Sequence, residues 1–329
     1  MARINRRNLI CLDECRIYHV TSRCTRRLHL FGGSDQERSE RKRILLQELE
    51  RVTTHTAVGV AGFALMDNHL HLLLKVDTAS ARKWSERQVV RRWLGLHPPR
   101  DGYRRRVAVT DKHVDKALEL ARITPGRVEA LRERLTSISH FMKEFKQEIS
   151  QQINRLDDEV GTVWAGRFKS HRVTDEAQLL TTLAYIDLNP FAAGVSDTPE
   201  NANHTSLAAR LRGSAETPAE KPAKSVALRR RGAALSEHRG WWMPLGGGEP
   251  GQPGWRKTLM PGTTLTFARY LALLDRTARL LRRGKRRLAG DAQPILERLG
   301  LTPGGLADTL RDWFDHGLPW QRGRRGAAV

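Results

Sequence analysis

Residues 68–76 read Asn68-His69-Leu70-His71-Leu72-Leu73-Leu74-Lys75-Val76. In a strand, successive side chains point to opposite faces. His69 and His71 therefore share one face, and Leu70, Leu72, Leu74 and Val76 share the other. The apolar face must be covered by helices. On the other face the two imidazoles stand about 6.5 Å apart, at ~3.3 Å of rise per residue. That spacing lets them converge on one divalent ion. The same pattern also fits two ordinary strand histidines held by hydrogen bonds.

Outward from this strand, Ala57 to Leu65 reads as a second strand, joined to it by a turn at Met66-Asp67. Arg16 to Arg23 is β-branched and alternating, the mark of an opening strand. Ser34 to Arg51 carries Ile44, Leu45, Leu46 and Leu49 on one helical stripe. Leu131 to Leu156 repeats apolar residues at helical spacing, from Leu131 through Phe141 and Phe145 to Ile153, and is expected as one long helix. Val163 to Val173 is strand-like. Thr174 looks like the N-cap of a helix with Asp175 and Glu176 in its first turn. That helix should stop at Asn189, because proline disfavours helix for the residue before it.

The rest of the chain divides by composition. Residues 78–128 are rich in Arg and Lys, carry Pro98-Pro99 and one helical piece near Asp115 to Arg122, and read as a basic insertion. Residues 211–238 have the Pro, Ala and Arg content of a linker. Residues 239–329 read as a small helical module, with helices at Leu265 to Leu281, Pro294 to Leu299 and Leu306 to Phe314. From Arg239 onward there are 16 Lys plus Arg against 7 Asp plus Glu, so this module is itself basic. The division is thus 1–210, a linker, and 239–329.

Charge decides the partner class. The 329 residues hold 57 Lys plus Arg against 36 Asp plus Glu, a net charge of +21, which attracts polyanions and releases their counterions on binding. Nucleic acid is the expected partner, ahead of a membrane surface. No run approaches the roughly 18 apolar residues of a membrane span. No apolar signal core follows the basic N-terminus, so a cytoplasmic, nucleoid-associated location is expected. Cys11, Cys15 and Cys24 form no Cys-x-x-Cys pair and read as free thiols in a reducing compartment.

The helix near Asp175 supplies the second half of a site. Leu179, Leu180, Leu183 and Ile186 form its buried stripe, while Tyr185 and Asn189, at i and i+4, are neighbours off that stripe. A phenol beside an amide suits a nucleophile with a ligand next to it. The Asn189 oxygen would complete a His-His-Asn metal set with His69 and His71. A surface tyrosine and a helix-ending asparagine fit the same spacing.

Four ordered segments carry a resemblance. They are Tyr18-His19-Val20-Thr21-Ser22-Arg23, Met66-Asp67-Asn68-His69-Leu70-His71-Leu72-Leu73, Val163-Trp164-Ala165-Gly166-Arg167-Phe168-Lys169-Ser170 and Tyr185-Ile186-Asp187-Leu188-Asn189-Pro190. Together they resemble the HUH-type single-tyrosine transposases, which mobilise single-stranded insertion sequences, and their relatives tied to repetitive extragenic palindromes. The resemblance covers about residues 10 to 205. It implies an α+β fold, a ferredoxin-like antiparallel sheet with helices. It implies Tyr185 as nucleophile and His69, His71 and Asn189 as ligands of Mg²⁺ or Mn²⁺. The activity implied is cutting and rejoining of single-stranded DNA, hairpin-forming at its ends, through a 5′-phosphotyrosine, by a monomer or homodimer. Arg23, Arg167 and Lys169 are the expected DNA contacts, and Trp164 and Phe168 interleaved with them fit base stacking or packing into the core equally well. His19 is expected behind the ligands rather than among them. The chain departs from the pattern at Asp67, where many relatives have Pro, at Phe191-Ala192 in place of Val-Arg, and in the 78–128 insertion. The alternative is a non-catalytic nucleic-acid-binding regulator on the same scaffold.

Overall fold

The computed structural model describes residues 16–103, 105–214, 243, 245, 267–279, 286, 288 and 289. Four strands form its sheet: β1 (Arg16–Arg23), β2 (Val58–Leu65), β3 (His69–Val76) and β4 (Lys169–Val173). Helix α1 (Asp35–His55) joins β1 to β2. Between β3 and β4 run α2 (Thr78–Arg82), α3 (Glu86–Leu96), α4 (Asp111–Ile123), α5 (Arg127–Leu135) and α6 (Ile138–Leu156). After β4 come α7 (Glu176–Ala192), α8 (Ser206–Ser214) and α9 (Phe267–Arg279). The strand order is β2-β3-β1-β4, and every neighbouring pair is antiparallel. With α1 and α6 as its crossovers, this is the split β-α-β-β-α-β arrangement of ferredoxin-like sheets. No helix among the described residues is long and apolar enough to cross a membrane.

The alternation read in residues 68–76 sorts the two layers. Val20, Leu70, Leu72 and Leu74 are fully buried under Leu45, Leu49, Phe141 and Phe145 of α1 and α6. Burying each such side chain contributes about 1.5–3 kcal/mol. On the opposite face Ala61, Ala64 and Leu73 pack on Leu179, Leu183 and Ile186 of α7, and on Tyr270 and Leu274 of α9. A bulge between Val60 and Gly62 lets α7 approach. A Cβ at Gly62 would stand 2.5 Å from Leu183 Cδ1, so any larger residue would push that side chain aside.

Several expectations need correction. The stripe from Leu131 to Leu156 is two helices, not one. Ser137 caps α6 by accepting from the His140 amide, and Thr136 closes α5. The apolar period continues across the break, which is why periodicity hides it, whereas a serine oxygen competes for the backbone locally. The 78–128 segment is far more helical than expected. α3 and α4 open with capping boxes, Ser85 with Gln88 and Thr110 with His113, and share a small core of Val90, Val114, Leu118 and Ala121. Three of its arginines are paired within the segment: Arg87 with Asp111 and Asp115, Arg91 with Asp111, and Arg122 with Glu86.

The 163–173 strand shrinks to β4, because Gly166 (φ +130°) turns the chain ahead of it. Asp175, not Thr174, caps α7, while the Thr174 amide donates to Gln178 Oε1. Helix α7 does not stop at Asn189 but runs through Pro190 to Ala192. Pro190 and Phe191 are buried, and that packing offsets the roughly 3 kcal/mol a proline costs inside a helix. Residues 211–214 belong to α8, and 215–238 lie outside the described residues. So do the two helices expected at Pro294 to Leu299 and Leu306 to Phe314. Cys11 and Cys15 also lie outside. Cys24 is a buried free thiol that burial pushes up to about 12.

His204, whose carbonyl accepts from the Leu65 amide, is held down to about 3, mainly by burial. Its unfolded form takes a proton near pH 6.5. Between about pH 6.5 and 3 the unfolded chain therefore binds more protons than the folded one, and stability falls as pH falls. Urea titrations at pH 7 and pH 5 should show this loss, and His204→Asn should make it smaller. An equal loss in the variant would remove His204 from the account.

Candidate active site

The polar face of the sheet is built by register. Thr21 of β1 lies opposite both His71 of β3 and Lys169 of β4. Arg23 pairs with His69, and His19 with His171. Paired residues share a face, so three strands present His19, His69, His71 and His171 together, bordered by Arg23 and Lys169. Helix α7 crosses this face. Its buried stripe grips the apolar end, which leaves Tyr185 over the imidazoles with 53% of its surface exposed.

The rings form one cluster. Tyr185 stands edge-on to His71 with ring centroids 5.4 Å apart, and edge-on to His19 at 6.0 Å. His69 and His71 are 5.1 Å apart. His19 Nε2 and His71 Nδ1 share a hydrogen bond of 3.0 Å. The Asn189 side chain is hydrogen-bonded with His69. His69 Nδ1 donates to Asn68 Oδ1 at 2.6 Å. An amide oxygen only accepts, so the proton of this bond sits on Nδ1, and the Asn189 side chain is left to the other ring nitrogen.

Burial holds these imidazoles neutral. His71 is lowered to about 3, first by burial, then by His69, His19 and Arg23. His19 is lowered to about 4 by burial and by His171. Burial also lowers His69, with Arg23 adding to it and Asn189 opposing. Neutral imidazole is the form that binds a metal ion.

No family model matches the chain, and no curated protein does. Among solved structures, the chain is similar to a REP-associated tyrosine transposase bound to a REP hairpin. The two are 12% identical with a TM-score of 0.38, over 67% of this chain and 93% of that one. The likeness is distant, and the roles of this chain's residues rest on their own geometry.

Not all the expected contacts assemble. Arg23, Arg167 and Lys169 are exposed, with Arg167 in the loop ahead of β4. Trp164 and Phe168 are each only 7% exposed, and Trp164 packs on Phe31 at 5.2 Å with its Nε1 donating to the Lys146 carbonyl. They belong to the core and offer no face to a base. The apolar residues of that segment point under the sheet, while the basic ones stay in solvent.

Three features escaped sequence reasoning. His171 was hidden in a charged stretch, although alternation from Lys169 puts it on the site face. Lys42, 1% exposed, donates to the Leu65 carbonyl and pairs with Asp67 at 3.0 Å, so Asp67 does more than turn the chain. It anchors the β2–β3 turn beside Asn68 and His69. Asp187, two residues after Tyr185, is fully buried and accepts from Ser206 Oγ, the Leu207 amide and Tyr270 Oη. An acid beside Leu183 and Ile186 on the buried side of α7 was the available signal.

Proposed function

We propose that this chain cleaves and rejoins single-stranded DNA through a 5′-phosphotyrosine formed on Tyr185. The observation that carries this reading is the meeting of Tyr185, His69, His71 and Asn189 on one face of the sheet. Four tyrosines occur in the chain. Tyr18 and Tyr270 are buried, and Tyr103, though 84% exposed, lies in the loop between α3 and α4. Tyr185 is the exposed tyrosine beside the histidines.

The donor set fits a divalent ion. Two neutral imidazoles and an amide lie on facing elements, with the Asn189 side chain already hydrogen-bonded to His69. His69, His71 and Asn189 would hold Mg²⁺ or Mn²⁺, of which Mn²⁺ suits the nitrogen content at least as well. Bound there, the ion supplies Lewis-acid polarisation of a phosphodiester and offsets the charge that develops on it. His19, through its bond to His71, fixes that ring's tautomer and tilt as outer partners of ligating histidines do. In the reaction the Tyr185 oxygen bonds to phosphorus, the bond from phosphorus to the 3′ oxygen breaks, and the phenolic proton ends on that 3′-OH. The tyrosyl ester stores the bond energy, so the reverse attack rejoins the strand. Arg23 and Lys169 border the site and, with Arg167, supply phosphate contacts. A hairpin-forming strand is the substrate this reading favours, consistent with the hairpin bound by the similar solved protein.

The test is incubation of the full chain with labelled single-stranded hairpins from around its gene, in Mn²⁺, followed by a denaturing gel. A labelled band at protein mass is expected. EDTA should remove it, and His71→Ala should reduce it by about 100-fold or more while hairpin binding persists. A band that is indifferent to EDTA and to His71→Ala would overturn the metal role. Tight binding with no band for any strand would favour a binding protein without this chemistry.

A further inference from the structure

A second group of metal-ligating side chains lies on the other side of the sheet. His97 follows the last turn of α3, and His140 and Glu144 stand one turn apart on α6. Their ligand atoms all lie within 4.8 Å of one another. His97 Nε2 is 3.7 Å from Glu144 Oε2, and His140 Nε2 is 3.6 Å from Glu144 Oε1. Both separations are too long for hydrogen bonds. Both Nε2 atoms are buried and have no hydrogen-bond partner. Two orphaned imidazole nitrogens facing one largely buried carboxylate are costly unless something joins them.

We propose that His97, His140 and Glu144 bind zinc and clamp the inserted helix α3 to the core helix α6. Zinc bonds of ~2.0–2.1 Å in a tetrahedron put ligand atoms about 3.4 Å apart. The two imidazole–carboxylate separations are within a few tenths of an ångström of that, and the two imidazoles, within 4.8 Å of each other, close further on the ion. Two imidazoles and one carboxylate form a donor set that zinc takes and that Mg²⁺, which prefers oxygen, does not. Trp93 packs against both rings, at 4.3 Å from His97 and 5.4 Å from His140, and holds them in place. Glu144 supplies the only negative charge of the three, and Arg51, Arg134 and Lys143 stand nearby. Lys143 Nζ stands 4.0 Å from Glu144 Oε1, the oxygen that faces His140, and competes with the ion for it, which lowers the affinity.

The site is separable from the histidines under Tyr185. In the full chain carrying His69→Ala and His71→Ala, equilibrium dialysis against zinc should leave about one zinc per chain, and cobalt(II) should give the visible absorption of a tetrahedral ion. Adding His97→Ala or Glu144→Gln to that background should weaken zinc binding by ~10-fold or more. Saturating zinc should raise the melting temperature of the background by roughly 5 °C, and the Glu144→Gln variant should lose that shift. His97 is half-exposed at a helix end and Glu144→Gln keeps the side-chain shape, so both variants retain the fold. No zinc in the background, or undiminished zinc in both added variants, would overturn the proposal.

Discussion

Tyr185→Phe is expected to abolish the covalent DNA adduct, a loss of at least ~10³-fold, and to leave DNA affinity within about two-fold. The phenolic oxygen is the only atom removed, from a ring 53% exposed over His71 and His19. The ring stands edge-on to both imidazoles, and phenylalanine keeps that ring. The change touches neither the stripe of Leu179, Leu183 and Ile186 nor the Asp187 network, so stability should move by no more than ~0.5 kcal/mol. Gel shifts for binding, denaturing gels for the adduct and urea titration for stability separate the three quantities. Adduct formed at the original rate would remove Tyr185 from the chemistry.

Asp187→Ala is expected to give the largest loss of stability, about 3–5 kcal/mol. Asp187 lies on α7 facing away from Tyr185, with no exposed surface. Its carboxylate accepts from Ser206 Oγ at 2.5 Å, the Leu207 amide at 2.9 Å and Tyr270 Oη at 2.5 Å, with Arg210 Nη1 at 3.6 Å. One residue thus joins α7 to the start of α8 and to α9. Burial pushes the carboxyl up, while Arg210 and the three hydrogen bonds pull it down, so the group is costly to bury and costlier to remove. Alanine would take the acceptor from the Tyr270 phenol, the Ser206 hydroxyl and the Leu207 amide, and the carboxylate at 3.6 Å from the buried Arg210. Asp187→Asn keeps an acceptor oxygen and should lose less. Urea unfolding of the three proteins gives the order, and adduct rates should follow it, because the network sets where α7 holds Tyr185 over the sheet. An alanine variant as stable as the parent would show that α7 is held by its apolar stripe alone.

How far the sequence could be read depended on the range of the forces involved. The sheet was legible because strand alternation is local: His-Leu-His-Leu at 69–72 separates two faces without reference to anything distant. The pairing of Tyr185 with Asn189 was legible because i and i+4 are neighbours on any helix. The features that failed are settled by contacts far apart in the chain or by single side-chain oxygens. Ser137 divides an unbroken apolar period. Phe191 carries a helix past Pro190 by packing elsewhere. Trp164 and Phe168 share a segment with Arg167 and Lys169, and only the tertiary core decides which of them reach solvent. Asp187 meets Tyr270 across 83 residues. His97 and Glu144 come together only because the inserted helices fold back onto α6.

The most direct test of the central claim is to locate the DNA–protein bond. After reaction with a hairpin strand, nuclease trimming and trypsin digestion, residues 173–210 form one tryptic peptide, in which Tyr185 is the only tyrosine. Mass spectrometry should find the nucleotide remnant on that peptide, joined through a 5′ phosphate to Tyr185. A remnant on any other residue, or strand cleavage with no peptide modified, would contradict the account.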